Sequence, residues 1–337
     1  MHLLVTGGAG FIGSEFVRMT LREHPGDRVT VLDKLTYAGN PRNLDPVRGD
    51  PGFRFVHGDI VDAALVNELA AGVDVILNFA AESHVDRSLE APGQFIQTDV
   101  YGTFVLLEAA RAAGHERFLQ VSTDEVYGDV PVGSSREDDP LRPRSPYSAS
   151  KAGAELLIGA YRASFGMPVV TTRSCNTYGP YQYPEKIVPL FITNAIEERP
   201  LPLYGDGSAV RDYLHVEDHC RGIDVALRHG GPSADYNIGT GSEIDGVTVA
   251  DTVLRLLDRP PSLRQFVRDR AGHDRRYAVD SGRLRALGWE PRVEFESGMA
   301  ATVRWYQENT GWWRPLQSGE FWEFYRRNYR PLSPVAP

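Results

Sequence analysis

Over the first 175 residues, short apolar runs alternate with longer segments whose apolar positions recur at helical spacing. HLLVTG (2–7), VTVLD (29–33), FRFVHGDI (53–60), VDVILNFAA (73–81), RFLQVST (117–123) and PVVTTRSCN (168–176) read as strands. Helical patterns lie between them: Ile12 to about Glu23, then 61–71, 94–113 and 147–166, the last closed by Gly166. This alternation predicts an α/β fold with a parallel sheet and right-handed crossovers. After Asn176 the regularity breaks. Pro and Tyr cluster over 178–189, and helical patterns at 187–198, 216–229, 248–257, 281–287 and 297–309 stand among irregular stretches. Thr248 and Asp251 are spaced as a capping box. The expected division is a sheet domain over 1–175 and a smaller, loop-rich C-terminal domain over 176–330, with 211–240 and 285–310 returning to the first. The Pro-rich end, 331–337, is expected to fray.

The first strand runs into VTGGAGFIGS, where Gly7, Gly10 and Gly13 are spaced G-x-x-G-x-x-G and Gly8, Gly10 and Gly13 G-x-G-x-x-G. A strand, a glycine turn and a helix start together form a phosphate cradle, because the helix N-terminus offers unpaired N–H groups to a pyrophosphate. Asp33 ends the second strand 20 residues after Gly13. A carboxylate there accepts from ribose hydroxyls and repels a 2′-phosphate, so the pattern predicts a doubly wound, Rossmann-type sheet that holds NAD rather than NADP.

Composition narrows the partners. A formal charge of −9 argues against nucleic acid or an anionic membrane as the main partner, although a local Arg cluster can still hold a small anion. No apolar run approaches the roughly 20 residues of a membrane span. The two cysteines, Cys175 and Cys220, form no disulfide framework. With a strand beginning at His2 and no room for a leader, a reducing, cytoplasmic setting is expected. His215 and His219 share a helical face beside Asp218, but no further ligand signal accompanies them, so no metal is expected.

Only three lysines occur: Lys34, Lys151 and Lys186. One of them completes Y-x-x-x-K with Tyr147, a pairing that chance produces roughly 0.1 times in a chain with 15 Tyr and so few Lys. On a helix the two share a face. A nearby ammonium and the positive nicotinamide of an oxidised cofactor would stabilise the phenolate, which then serves as a base at a sugar hydroxyl. At the end of the fifth strand, VSTDEVYG places Asp124 beside Glu125, adjacent acids that repel unless solvated.

Taken with NFAAESHVDRS (78–88), these motifs resemble the extended short-chain dehydrogenase/reductases. Within that group they are most similar to the dTDP-glucose 4,6-dehydratases, over residues 2 to about 310. STDEVYG is the specific part, since sugar epimerases of the group generally have Ser, Ala or similar residues in place of the two acids. The later stretches NTYGPYQYPEKIVPLFI (176–192), LPLYGDG (201–207), RDYLHVEDHCRGI (211–223) and DRAGHDRRY (269–277) agree.

The resemblance implies a lyase that converts dTDP-glucose to dTDP-4-keto-6-deoxyglucose and water. C4 is oxidised, the C5 proton becomes acidic, the C6 hydroxyl leaves, and the hydride returns to C6. It assigns Asp124 as the acid and Glu125 as the base, with like charge keeping one of them protonated. NAD would be held by the turn with Phe11 and Ile12, by Asp33, Lys34, Thr36, Gly39, Asp59, Ile60, Ala80, Ala81 and Thr98, and by Tyr147 and Lys151. Thr123 would bond the sugar O4, with Ser83 and Asn176 also meeting substrate. Lys186, Ile187, Pro202, Tyr204, Arg211, Arg270, His273 and Tyr277 would bind the nucleotide diphosphate. One position departs: Gly246 stands where the family often has Asn. His84 and Asp86 are given no catalytic role. A UDP-glucose 4,6-dehydratase and a nucleotide-sugar 4-epimerase of the same fold are the alternatives. A non-catalytic NAD-binding protein would have lost the Tyr or the acids. As in the family, the helices near 94–113 and 147–166 are expected to pair two subunits into a homodimer.

Overall fold

The structure, a computed structural model, describes residues 1–270 and 272–329, so the Pro-rich end lies outside the described residues. Strands β1 (His2–Thr6), β2 (Arg28–Asp33), β3 (Phe53–His57), β4 (Val75–Asn78), β5 (Phe118–Thr123) and β6 (Val169–Ser174) join one all-parallel sheet. After the short β7 (Asn176–Tyr178), β8 (Leu201–Tyr204) and β9 (Val210–His215), the chain returns to that sheet as β10 (Asp235–Ile238). The order is β3-β2-β1-β4-β5-β6-β10. Side-chain alternation divides the strands between two cores. Leu3, Val5, Leu77 and Leu119 pack on one face, and Leu4, Ile76 and Phe118 on the other. Each fully buried Leu or Phe contributes about 1.5–3 kcal/mol. A strand covered on both faces therefore reads as an unbroken apolar run.

Two strand runs end sooner than their hydrophobicity predicts. Gly58–Ile60 and Phe79–Ala81 leave the sheet and line a cavity. The C-terminal strand ends of an open parallel sheet are where ligands bind, and apolar residues there serve the crevice rather than the ladder. The 94–113 pattern is three pieces, not one helix: Pro92–Phe95, a π-helical turn over Ile96–Gly102, and Thr103–Ala113. Gly102 sits so close to Ile60 that a Cβ would lie 2.3 Å from its Cδ1.

The rest of the chain builds a smaller lobe. β7 and β9 join β11 (Glu243–Asp245), and β8 pairs with β12 (Arg264–Val267), around a core containing Tyr178, Phe191, Tyr306 and Trp313. The helix Phe295–Glu308, within the 285–310 segment assigned to the first unit, packs here instead, burying Met299, Val303 and Tyr306. The helix placed at 248 begins at Gly246. Its cap is Asp245, whose carboxylate accepts from Thr248 N at 2.7 Å, while Asp251 faces Arg264 at 3.2 Å. The Thr248/Asp251 capping box is therefore corrected to an Asp245 cap.

Candidate active site

One cavity of about 420 Å3 runs along the strand ends and under the smaller lobe. At its sheet end, Gly7 has φ +66°, and a Cβ there would lie 2.6 Å from Ala80 N. A Cβ on Gly13 would lie 2.4 Å from Gly7 O. Only glycine lets the turn press against the loop after β4. The helix Phe11–Glu23 starts at Gly10 with no side-chain cap, so its first N–H groups stay available to an anion. Asp33 is buried, with Oδ2 accepting from Ala9 N at 2.9 Å and Oδ1 from Leu35 N at 2.8 Å. Burial raises its pKa against those two donors. Lys34 pairs with Asp59 at 2.6 Å. Thr36, Gly39, Ile60, Ala80, Ala81 and Thr98 complete this wall. An uncapped helix start, a cradle that any Cβ would fill and a strand-end carboxylate form a donor set that fits a dinucleotide.

The helix Pro146–Phe165 delivers Tyr147 and Lys151. Ser145 and Ser148 cap it reciprocally, and Pro146 occupies its first position. Tyr147 packs edge-on against Phe95, with ring centroids 6.2 Å apart. Lys151 reaches past it, and Nζ donates to Val121 O at 2.7 Å. Burial pushes Tyr147 well above its ordinary value, and the Glu125 and Asp99 carboxylates push the same way, while a hydrogen bond with Thr123 opposes them. The Lys151 ammonium is anchored at the end of β5.

Thr123 ends β5, and the chain turns at once into a 3-10 segment, Asp124–Tyr127. Thr123 Oγ1 lies 3.3 Å from both Glu125 N and Asp124 Oδ1. Asp124 is buried, and its Oδ2 has no hydrogen-bond partner among the described residues. Burial and then the neighbouring Glu125 raise its pKa well above the carboxylate range. Glu125 keeps part of its surface open to the cavity. Burial raises it too, but Arg270, Lys186 and Arg211 oppose the shift. The two acids are thereby pushed toward different protonation states: a neutral Asp124 and an ionisable Glu125.

The smaller lobe supplies those cations. The Lys186 ammonium donates to Ser83 O. Arg211 is tied to the carbonyls of Val210, Asp274 and Arg275. Arg270 makes no side-chain hydrogen bond among the described residues. Its nearest charge is Asp86, at 3.8 Å, which also accepts from Tyr204 at 2.9 Å. A largely enclosed guanidinium with idle donors suits an anionic ligand. His273 bonds Asp269 at 2.6 Å, and burial, then Arg270, hold it down at about 4. Ile187, Pro202 and Asn176 also line the cavity, and so does Gly246. Tyr277 does not. Its ring lies 4.3 Å from the Arg211 guanidinium and its hydroxyl donates to Asp274 at 2.6 Å, so it stands behind Arg211 rather than in the cavity.

Sequence reasoning missed several wall residues. His84 and Asp86, given no catalytic role, line the wall, and Glu185 beside Lys186 carried no signal of its own. Tyr329 reaches the cavity beside Tyr204, with centroids 5.5 Å apart, from the end of the chain beyond the recognised motifs. The amphipathic run GEFWEFYRRN, which forms the helix before it, was the available clue.

Residues 4–302 match the family model described as GDP-mannose 4,6 dehydratase. The low-salt glycan biosynthesis protein Agl12 of Haloferax volcanii is 52% identical over 306 residues, covering 91% of this chain and 98% of its own. A dTDP-glucose 4,6-dehydratase of Streptomyces niveus is 49% identical over 323 residues, covering 94% and 96%. Among solved structures, DesIV, a dTDP-glucose 4,6-dehydratase from Streptomyces venezuelae crystallised with NAD bound, superposes with a TM-score of 0.92 at 53% identity, covering 94% of this chain and all of its own. The glycine turn, the Tyr/Lys helix and the acid pair thus sit in a chain that belongs to the GDP-mannose 4,6 dehydratase family of extended short-chain dehydrogenase/reductases.

Proposed function

We propose that this chain is a hydro-lyase that converts dTDP-glucose to dTDP-4-keto-6-deoxyglucose and water with NAD kept bound. The observation that carries the reading is the acid pair: two adjacent carboxylates at the mouth of the sheet, one buried with its pKa pushed well up, the other with that rise opposed by three cations. A 4-epimerase needs the Tyr/Lys helix but not these acids.

NAD, when bound, supplies a hydride acceptor at C4 and a donor at C6. The turn 7–13, Asp33, Lys34 and the strand-end loops are the residues that would hold it, with Tyr147 and Lys151 at its reactive end. Tyr147 and Thr123 address the sugar O4, where the Tyr147 phenolate would take up the hydroxyl proton. Glu125 removes the C5 proton once C4 is a ketone, and Asp124 gives its proton to the departing C6 hydroxyl. Arg270, Lys186 and Arg211 hold the diphosphate and Tyr204 the base side, with Tyr277 backing Arg211. Net charge is negative overall, so this local cluster is what attracts the anion.

Two further features belong to the same reading. Ile96, Tyr101, Phe104, Leu156 and Phe165 are exposed apolar residues on the paired helices 96–113 and 146–165, and a second copy of the chain would cover them. Both cysteines are free and buried, and no helix among the described residues is long and apolar enough to cross a membrane. Light scattering that finds a monomer at micromolar concentration would remove the dimer.

The deciding experiment is incubation with dTDP-glucose and UDP-glucose in deuterated water, followed by NMR of the products. A 4-keto-6-deoxy sugar carrying deuterium at C5, formed faster from the thymine nucleotide, is expected. A C4 epimer without loss of water would overturn the lyase reading.

A further inference from the structure

Oxidation at C4 and loss of water across C5 and C6 must happen on one sugar held in one place, yet the residues for the two steps arrive on different elements. Tyr147 and Lys151 lie on the helix Pro146–Phe165, and Asp124 and Glu125 on the 3-10 turn Asp124–Tyr127. A buried arginine bonds both elements from behind the site. Arg173, on β6, is 5% exposed and does not line the cavity. Its Nη1 donates to the Tyr127 hydroxyl at 2.6 Å and to Glu137 O at 2.9 Å. Its Nε donates to Glu155 Oε2 at 2.8 Å, and Nη2 lies 2.7 Å from the same oxygen. Tyr127 is the last residue of the acid-pair turn, and Glu155 stands one helical turn beyond Lys151.

The partners of Arg173 are themselves tied down. The Tyr127 hydroxyl donates to Asn237 Oδ1, on β10, at 2.9 Å, and its ring centroid lies 5.1 Å from the guanidinium carbon. The other oxygen of Glu155 accepts from the hydroxyl of Ser122, which precedes Thr123 on β5. Tyr127, Glu155, Asn237 and Ser122 are all buried. Bonds to a charged, forked donor in such surroundings are strong and directional, so the cluster favours one arrangement of turn, helix and strand end. Toward the cavity the turn is held more loosely. Thr123 Oγ1 reaches Glu125 N only at 3.3 Å, and Asp124 Oδ2 has no partner among the described residues.

We propose that Arg173 is a positioning residue that keeps the acid-pair turn in register with the Tyr147–Lys151 helix, acting on the turn through the Tyr127 hydroxyl. The proposal rests on the reading of these two pairs as the groups for oxidation and for elimination. Its consequence is confined to one step. When Tyr127 loses its hydroxyl, the helix keeps its reciprocal Ser145/Ser148 cap and its Glu155–Arg173 pair, so hydride transfer from C4 is spared. The turn loses its bond to the cluster, and the acid and base it carries lose their alignment with C5 and C6.

The test is a single turnover of Tyr127→Phe holoenzyme with dTDP-glucose. The rise of near-UV absorbance reports oxidation, and 6-deoxy sugar in quenched samples reports loss of water. The rise should stay within about 3-fold of wild type while loss of water slows about 10- to 100-fold, the cost of misplacing a reacting group by up to about 1 Å. Reduced nicotinamide should therefore accumulate. Arg173→Lys keeps a cation beside Glu155 but lacks the fork that joins it to Tyr127, so it should shift the two steps in the same way. It decides the matter should Tyr127→Phe not fold. Asp235→Asn is the control for stability alone, since Asp235 meets Arg173 at 3.3 Å and Arg162 at 2.8 Å but not Tyr127. It should lower the melting temperature and leave the balance of the two steps unchanged. Equal slowing of both steps in Tyr127→Phe or Arg173→Lys, no slowing of either, or the same shift in Asp235→Asn would show that the cluster only stabilises the fold. Wild type run alongside separates the two levels of the argument. A wild type that makes no 6-deoxy sugar removes the lyase reading and the proposal with it, whereas a normal wild type beside unshifted variants removes the proposal alone.

Discussion

Replacing Glu125 with glutamine should uncouple oxidation from elimination. The amide keeps the shape of the side chain but cannot take the C5 proton. General-base catalysis contributes about 10²- to 10⁴-fold, so loss of water should slow by that factor, or about 3–5 kcal/mol of barrier. The structure predicts more than a loss. After burial, the Glu125 carboxylate does most to raise both Tyr147 and Asp124. Removing it makes the phenol easier to ionise and leaves the Asp124 acid less firmly protonated. The first step should therefore be spared or favoured while the second is blocked. On mixing Glu125→Gln holoenzyme with dTDP-glucose, near-UV absorbance of reduced nicotinamide should build up and persist, where wild type shows only a transient. Quenched samples should contain little 6-deoxy sugar and little solvent deuterium at C5. Formation of 6-deoxy product at the wild-type rate would refute the argument and make the acid pair structural.

Other outcomes are open to direct measurement. Tyr147→Phe should keep its packing against Phe95 but lose the O4 base, so single-turnover formation of reduced nicotinamide should fall at least about 100-fold with the melting temperature little changed. The pH profile of kcat/KM should be bell-shaped, its acid limb above the ordinary carboxylate range because Glu125 is raised and must be ionised. Its alkaline limb should fall as Asp124, which must be protonated, loses its proton; the two limbs belong to the coupled pair. Arg270→Gln removes the guanidinium whose donors stand idle, and KM should rise about 10- to 100-fold with a smaller change in kcat, as expected for charge-assisted bonds of about 1.5–3 kcal/mol. Denatured holoprotein should release NAD(H) and no phosphorylated form, since a 2′-phosphate would meet the buried Asp33; recovery of NADP(H) would contradict that role.

What was legible in the sequence depended on the range of the signal. Period-two burial in β1, β4 and β5 splits neighbouring residues such as Leu3 and Leu4 between two cores, so both faces must be apolar and the run announces itself. The glycine turn was legible because backbone contacts at Gly7 and Gly13 exclude any side chain. The ends of β3 and β4 were not, because Ile60 and residues 79–81 are apolar where they line the cavity rather than the ladder. The π-turn could not be foreseen either. One wide turn shifts the spacing by a single residue inside an otherwise helical pattern, and the close packing of Gly102 on Ile60 within it is a tertiary contact.

Charge was the least legible property, and it is where the site does its work. The spacing of Tyr147 and Lys151 correctly puts both on one helix, yet four residues of spacing say nothing about where a four-carbon stem delivers its ammonium. Lys151 goes to Val121 O, and the phenol is left among carboxylates. Arg211 and Arg270 likewise read as equivalent cations. In the fold, one is bound to three backbone carbonyls over the Tyr277 ring, and the other, beside Asp86, makes no side-chain hydrogen bond among the described residues. That difference orders their roles. A guanidinium already bonded to the backbone supplies a fixed positive field at little reorganisation, while one with idle donors can form new bonds when an anion arrives. Both fields act on Glu125, so the cations proposed to receive a diphosphate are also the charges that oppose its rise. A diphosphate bound there would neutralise part of that field and leave the proposed base more basic.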